Sequence, residues 1–111
     1  MSYRRQGPAF IPCDTRAITN QIGRRVLMSI CGLRVIRRET GVTLPVASGY
    51  TVTVDLAADD TYTVRRIYGR GSRQWVHGER TEVYAEQLSE AAYFASSYKS
   101  YSASEWPKRH L

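Results

Sequence analysis

The 111-residue sequence has few features of a secreted, membrane or metal-dependent protein. No apolar run approaches the roughly 20 residues that a membrane-spanning helix needs, and the N-terminus lacks the continuous apolar segment of a secretory signal. There are only two cysteines, Cys13 and Cys31, outside any C-x-x-C arrangement, and we expect both to be reduced thiols, buried or half-buried. The two histidines have no second ligand at metal spacing, so no metal site is predicted. These absences favour a cytoplasmic protein with no membrane segment.

Signatures of catalysis are also missing. The sequence has no phosphate-binding P-loop, no glycine-rich dinucleotide fingerprint, no HExxH zinc motif and no GxSxG nucleophile elbow. Carboxylates cluster at Asp59 and Asp60, but an Ala-Ala-Asp-Asp segment between two strands is typical of a turn. We therefore expect a non-catalytic protein that uses no cofactor.

Positive charge is plentiful but unevenly distributed. The net charge is +6, and fourteen of the sixteen basic residues are arginine. Residues 1–54 hold eight basic and two acidic side chains, whereas residues 55–111 hold eight of each. A basic half is expected of a surface that meets polyanions. An arginine bias of this kind is also produced by a GC-rich genome.

The length fits one domain with a single core. The first residues carry Gly7, Pro8 and Pro12 without periodicity, as an extended arm would, and the last ones are rich in serine. We expect an N-terminal arm at residues 1–13, a single domain at residues 14–101 and a C-terminal tail at residues 102–111.

A β-hairpin is predicted at the centre of this domain. Apolar and polar residues alternate strictly over residues 50–56, and a return arm follows over residues 62–68, which predicts two antiparallel strands. Further strands are predicted at residues 24–30, 33–38, 42–46 and 73–79. The apolar phase shifts at Arg65–Arg66, which indicates a β-bulge there.

Two helices are predicted to flank the sheet. Asp14 and Thr15 are good N-cap residues and Gly23 is a stop signal, so a short helix should lie between them. An apolar stripe predicts a long helix over residues 82–98, capped by Thr81. The stripe consists of Tyr84, Leu88, Ala91, Ala95 and Tyr98. We therefore expect an α+β fold: an antiparallel meander of five or six strands, with a short N-terminal helix and one long C-terminal helix packed on it.

Three arginine pairs near predicted strand ends, together with the turn after the central hairpin, supply the candidate binding residues. If those strand ends align on one side of the sheet, they form a patch suited to phosphate contacts. The candidate nucleic-acid-binding residues are Arg24, Arg25, Arg37, Arg38, Arg65, Arg66, Arg70 and Arg73. Tyr62, Tyr68 and Trp75 could then stack on bases. In the alternative interpretation these aromatic residues line the core, and the arginines are solvated or paired with carboxylates.

Three blocks of sequence carry a resemblance. Residues 17–32 contain Ile-x-x-Gln-Ile-Gly, residues 59–65 contain Asp-x-Tyr, and residues 82–88 contain Val-Tyr-Ala-Glu-x-Leu. Together they resemble a family of short proteins encoded by bacteriophages, prophages and other mobile elements. That family has no assigned chemistry, so the resemblance implies a phage setting and no catalytic residue. It also implies that the blocks determine the fold, with Tyr62 and Tyr84 as core anchors.

The function expected from the sequence is that of a non-catalytic, phage-type accessory protein in the cytoplasm of a host cell, binding nucleic acid or a nucleoprotein through its arginines. The alternative is a protein-binding inhibitor or modulator of a host machine, such as a defence complex. In that case this protein would dock onto its partner through the exposed helix face or through Tyr98, Tyr101 and Trp106. A small structural or self-assembling component is the third possibility. One contiguous positive face would favour a polyanion, whereas scattered arginines beside an exposed apolar–aromatic patch would favour a protein partner.

Overall fold

A computed structural model describes residues 9–97 and places them in one open antiparallel sheet with α-helices on one face. In chain order the elements are α1 (Thr15–Ile22), α2 (Arg24–Cys31), β1 (Ile36–Arg37), β2 (Gly41–Pro45), β3 (Tyr50–Leu56), β4 (Tyr62–Arg70), β5 (Arg73–Val83) and α3 (Leu88–Ser97), the last preceded by a 3-10 turn at Ala85–Gln87. The strands follow one another as a meander, β1 to β5. The predicted α+β fold is confirmed.

The central hairpin has the predicted strands and turn. β3 and β4 pair in unbroken register from Tyr50↔Tyr68 to Leu56↔Tyr62. In the turn, Asp59 Oδ1 accepts hydrogen bonds from the Thr61 amide (3.1 Å) and hydroxyl (2.6 Å). Asp60 follows with a left-handed φ of 71°, a conformation that aspartate tolerates better than most residues. The prediction that the aspartates form the turn is therefore confirmed.

The first helix is confirmed, but the segment after it was predicted wrongly. Asp14 caps α1 by accepting a hydrogen bond from the Arg16 amide at 3.0 Å. Gly23 ends α1 with a φ of 94°. Residues 24–30, predicted as a strand, form α2 instead.

Helical spacing outweighs alternation in α2. Leu27, Ile30 and Cys31 are buried and lie three and four residues apart. Met28, which would share a face with Ile30 in a strand, is 52% exposed. Gly32 then ends the helix in the left-handed region at φ 64°. Because this segment is helical, the predicted strand at residues 33–38 shrinks to β1, a two-residue edge strand.

The longest strand, β5, carries two irregularities. Arg66 pairs with Gly78 but Ile67 pairs with Val76, so His77 is an extra residue opposite the predicted bulge. A second register shift lies between the Tyr62 and Val64 pairs. The bulge predicted at Arg65–Arg66 is wrong for β4, which keeps its alternation, with Val64 and Arg66 both buried. The extra residue at this level lies on the neighbouring strand, β5.

These irregularities let β5 continue past the predicted start of the last helix. Thr81 and Glu82 lie within β5, so the predicted cap at Thr81 is wrong. The helix begins after Tyr84, whose amide donates to Gln87 Oε1 at 3.0 Å. Tyr84 is 54% exposed, which corrects its prediction as a core anchor. Residue 98, the predicted end of this helix, lies outside residues 9–97.

The core lies between the helices and the inner face of the sheet. Tyr62 belongs to it, as predicted, with 8% exposure. The most deeply buried apolar side chains, all 0% exposed, include Ile18, Val42, Leu44, Val52, Val54, Val64, Val83, Leu88, Ala91, Ala92 and Ala95. The valine, leucine and isoleucine side chains among them each contribute about 1.5–3 kcal/mol when buried, as an upper estimate. Within residues 9–97, no helix combines the length and the apolar character that crossing a membrane requires.

Part of the predicted N-terminal arm is attached to the sheet. Phe10 forms an isolated β-bridge with Ala57, and the Ile11 amide donates to the Leu56 carbonyl at 3.0 Å. Residues 1–8 and the predicted tail at 102–111 lie outside the described part of the chain.

Candidate functional site

Arg38, a candidate phosphate ligand, is used inside the protein. Its Nε and Nη1 atoms donate to Thr43 Oγ1 and Asp55 Oδ1, both at 2.8 Å. Its Nη2 atom donates to the Val42 carbonyl at 2.9 Å. Asp55 is 3% exposed and also accepts from Thr40 Oγ1 at 2.7 Å. A guanidinium held by three protein acceptors ties β1, β2 and β3 together and has little left to offer a phosphate.

Arg65 forms a cross-strand ion pair on the sheet face opposite the helices. Its Nε atom lies 2.6 Å from Glu79 Oε2, and the two residues are partners in the β4–β5 register. The guanidinium carbon lies 5.1 Å from the centroid of the Phe10 ring, close enough for a cation–π contact. This arginine pairs with a carboxylate, as the alternative interpretation predicted.

Arg66 is buried on the helix side of the sheet. It is 4% exposed, and its Nη1 atom donates to the Ala95 carbonyl near the C-terminal end of α3. Its guanidinium carbon lies 3.9 Å from the centroid of the Tyr50 ring. A cation at this end of a helix complements the negative end of the helix dipole. Arg66 therefore fastens α3 to the sheet.

The other five candidate arginines are exposed, and three of them are grouped near the helices. Arg24 and Arg25 begin α2 and do not lie at a strand end as predicted. Arg24 and Arg37 line one open pocket of about 400 Å³ between α1, α2 and β1. Arg24 also lines a neighbouring pocket with Arg25 and Met28. Because Arg24 belongs to both pockets, the three arginines share a continuous surface.

Two further arginines in the same part of the chain were missed by the sequence analysis. Arg16 on α1 and Arg34 before β1 are exposed but occur singly, so a search for pairs passed over them. Residues 14–37 hold five arginines and one carboxylate, Asp14. We define the basic helical surface by these exposed arginines. They are Arg16, Arg24, Arg25, Arg34 and Arg37.

The remaining two candidates, Arg70 and Arg73, form the tip of the β4–β5 hairpin. They are directly opposite each other in the register, an arrangement in which like charges repel. Gly69, beside them, has a φ of 105°, and a Cβ atom there would lie 1.9 Å from the Arg73 carbonyl oxygen. The turn therefore brings the two strands close and holds the two cations together.

The eight candidate arginines do not form one patch. Arg37 lies on β1 and Arg73 on β5, four strands apart. Val64 is in the same row of the sheet as Arg37, and Arg70 lies six positions further along β4. With strands about 4.8 Å apart and about 3.3 Å per residue, the two groups are roughly 25–30 Å apart. The predicted alignment of strand ends on one side of the sheet is therefore corrected to two separate basic surfaces.

The three candidate stacking aromatics divide in the same way. Tyr62 is a core residue, which agrees with the alternative interpretation, whereas Tyr68 and Trp75 are 37% and 55% exposed. The Tyr68 and Trp75 ring centroids lie 5.1 Å apart, and the Tyr50 ring lies 4.7 Å from that of Tyr68. The rings form a tilted ladder across β3, β4 and β5.

The titratable groups show no preparation for nucleophilic or metal chemistry in residues 9–97. Burial raises the pKa of the Cys13 and Cys31 thiols, so both are protonated at neutral pH, unlike an activated nucleophile. Hydrogen bonds from the Thr61 hydroxyl and amide lower the pKa of Asp59. No three His, Cys, Asp or Glu side chains of this segment are grouped so that they could hold a metal ion.

The alternative docking residues Tyr98, Tyr101 and Trp106 lie outside the described residues.

Comparison with protein-family models, with curated proteins and with solved structures gives no significant match. The resemblance to short phage proteins therefore stays a prediction, and so do the non-catalytic role and the binding of nucleic acid.

Proposed function

We propose that this protein is a non-catalytic accessory protein of phage type that binds nucleic acid in the cytoplasm of a host cell. Its main phosphate-binding surface is the basic helical surface. The observation that carries this proposal is that Arg24 and Arg37, from different elements, line one open pocket that continues onto Arg25. Side chains brought together from separate elements can follow a phosphate backbone, which a single basic segment cannot do as well.

Charge and donor geometry both support this surface. All five of its arginines are exposed. Arg16 lies 3.6 Å from the Asp14 carboxylate, but both side chains are well exposed, so that pair is weak and readily exchanged for a phosphate. Arginine binds phosphate in a bidentate manner, with its planar fork. Arg37 already directs one Nη atom to Thr15 Oγ1 at 2.8 Å, which orients its guanidinium.

The test is fluorescence anisotropy of labelled duplex DNA and single-stranded RNA at several salt concentrations. Three to five phosphate contacts predict that the logarithm of the affinity falls against log salt with a slope of about −3 to −4.5 for a duplex. Arg24→Gln/Arg25→Gln should reduce the steepness of the slope by roughly 2. Lys108→Gln/Arg109→Gln, which removes the same net charge, is the matched control and should change the slope less. Absence of binding at low salt would refute the proposal.

A second candidate function is the binding of a protein partner, for which Met28 and Ile36 are the specific observation. They are 52% and 54% exposed, and Met28 lines a pocket with Arg24 and Arg25. Exposed apolar side chains flanked by arginines resemble the composition of protein interfaces. A host partner bound through this surface should be lost on Met28→Ser, whereas nucleic-acid binding should persist because this change leaves the arginines and the net charge unaltered.

A further inference from the structure

The sheet has an aromatic end that the basic helical surface does not include. Tyr50, Tyr68 and Trp75 are adjacent partners across β3, β4 and β5. They lie on the helix side of the sheet, because Arg66, two residues before Tyr68, reaches α3 from that side. We call this group the aromatic end.

Trp75 is the most exposed member of the aromatic end. Its side chain is held by the Tyr68 ring at 5.1 Å, with the two planes tilted by 56°, yet the residue is 55% exposed. Tilted contacts of this kind between aromatic rings are attractive. The indole is therefore supported from one side while a large part of its surface faces solvent.

The surroundings of Trp75 are positive. Residues 42–54 and 66–78, which form this end of the sheet, contain no aspartate or glutamate, and the second segment contains Arg66, Arg70 and Arg73. A carboxylate directly follows each of these two segments, and both are already paired: Asp55 with Arg38 and Glu79 with Arg65. No ion pair links Arg70 or Arg73 to a carboxylate of residues 9–97. Two cations facing each other at the hairpin tip cost stability, which a role in binding an anion would explain.

We propose that Trp75, supported by Tyr68, is a stacking platform for a base of single-stranded nucleic acid, and that Arg70 and Arg73 bind the phosphates beside that base. This inference rests on the proposed function and adds the substrate class. An exposed aromatic face accepts any base, and neighbouring cations hold the backbone, which is the usual basis of binding single strands without sequence preference. A base inside a duplex is stacked on both faces and cannot occupy the platform.

The test uses Trp75 as its own reporter. Trp106→Phe leaves Trp75 as the only tryptophan, and this variant is titrated at low salt with a 12-nucleotide oligothymidylate and with a duplex of the same length. We expect the single strand to quench Trp75 fluorescence in parallel with binding measured by anisotropy, and the duplex to quench it much less. Polyglutamate is titrated as a polyanion without bases and should not quench.

Variants at the platform separate stacking from charge. Trp75→Leu should weaken binding of the oligothymidylate by roughly 5- to 150-fold, and Trp75→Phe should retain most of the affinity because a ring is kept. Val76→Ala is the matched control, because Val76 is also exposed, at 49%, but pairs with Ile67 on the opposite face. Circular dichroism of each variant should match that of the parent, since both side chains are largely in solvent.

The outcomes for the two proposals can be told apart. If the oligothymidylate binds but neither quenches Trp75 nor loses affinity in Trp75→Leu, the platform is refuted while the basic helical surface stands. If Trp75→Leu abolishes binding and Arg24→Gln/Arg25→Gln has no effect, the platform stands alone. If the duplex quenches Trp75 as strongly as the single strand does, stacking is refuted. If polyglutamate quenches it equally, stacking is refuted in favour of an acidic protein partner. If neither the oligothymidylate nor the duplex binds, both proposals are refuted.

Discussion

Replacing Asp55 by alanine should be the most destabilising single change among the polar residues on the outer face of the sheet. The carboxylate accepts hydrogen bonds from Arg38 at 2.8 Å and from Thr40 at 2.7 Å. Both donors come from the β1–β2 connection or its flanks, so this one side chain fastens the edge of the sheet to β3. Alanine would remove an acceptor for a cation and for a hydroxyl at the same time.

The expected magnitude follows from the exposure of the two partners. Removing one member of a fully buried ion pair costs about 3–5 kcal/mol. The Asp55 side chain is 4% exposed but that of Arg38 is 35% exposed, so water can hydrate the orphaned guanidinium and the cost falls to about 2–3 kcal/mol. The lost bond from Thr40 adds about 1 kcal/mol. We therefore expect Asp55→Ala to lower the free energy of unfolding by about 3–4 kcal/mol, a large part of the 5–15 kcal/mol typical of a domain.

The assay is urea denaturation followed by circular dichroism at pH 7. Glu39→Ala removes an exposed carboxylate from the same connection and should change the free energy of unfolding by less than about 0.5 kcal/mol. A double-mutant cycle with Arg38→Ala should give a coupling energy of at least about 1.5 kcal/mol. A cost below about 1 kcal/mol for Asp55→Ala, or additive effects in the cycle, would refute the reasoning.

Three further predictions concern the core, the hairpin tip and acid. Leu88→Ala should lower the free energy of unfolding by about 2–5 kcal/mol in the same assay, because the side chain is 0% exposed. Gly69→Ala should lower the free energy of unfolding by at least about 2 kcal/mol, because its Cβ atom would lie 1.9 Å from a backbone oxygen. Gly71→Ala has open space around its Cβ atom and should lower it by about 1 kcal/mol, because of its positive φ alone. The Asp59 pKa is lowered in the folded state by Thr61, so the stability that this interaction contributes is present above the unfolded pKa and is lost as the pH falls through the folded one. The stability difference between wild type and Thr61→Val should therefore shrink during acidification from pH 7 to pH 2, and a constant difference would contradict this.

The parts of the fold that could be predicted are those specified by local sequence. β3 alternates over seven residues, and only a strand places such a pattern with one face buried. α1 carries both of its boundaries in the sequence, a capping Asp14 and a terminating Gly23. In the turn after β3, the Asp59 side chain accepts a hydrogen bond from the backbone amide of Thr61, two residues away. In each case the residues that decide the structure lie within a few positions of one another.

The errors occur where two local patterns compete. In α2, Val26, Met28 and Ile30 alternate as a strand would, while Leu27, Ile30 and Cys31 have helical spacing. Packing against α1, α3 and β2 selects the second pattern. Likewise, Thr81 followed by glutamates resembles a helix start, but pairing of Val83 with Tyr62 keeps the chain in the sheet. Both decisions depend on partners that are distant in sequence.

The roles of the arginines could be predicted least, because each depends on long-range register. Arg38 finds its carboxylate 17 residues away, and Arg66 finds its carbonyl 29 residues away. Nothing in an Arg-Arg pair indicates which member will be buried. In the pair Arg37–Arg38, one side chain is exposed and the other binds Asp55; in the pair Arg65–Arg66, both are taken up by the protein.

This division changes how binding should be tested. From the sequence, substituting both residues of Arg37–Arg38 and Arg65–Arg66 would be the natural way to reduce the salt dependence of binding. Three of those four side chains hold β-strands or α3 in place, so a loss of affinity in such variants would report unfolding as readily as lost phosphate contacts. Arg24 and Arg25 are exposed, and no hydrogen bond or ion pair ties either side chain to residues 9–97. Their removal should therefore change affinity with little effect on stability, which makes them the pair that can separate binding from folding.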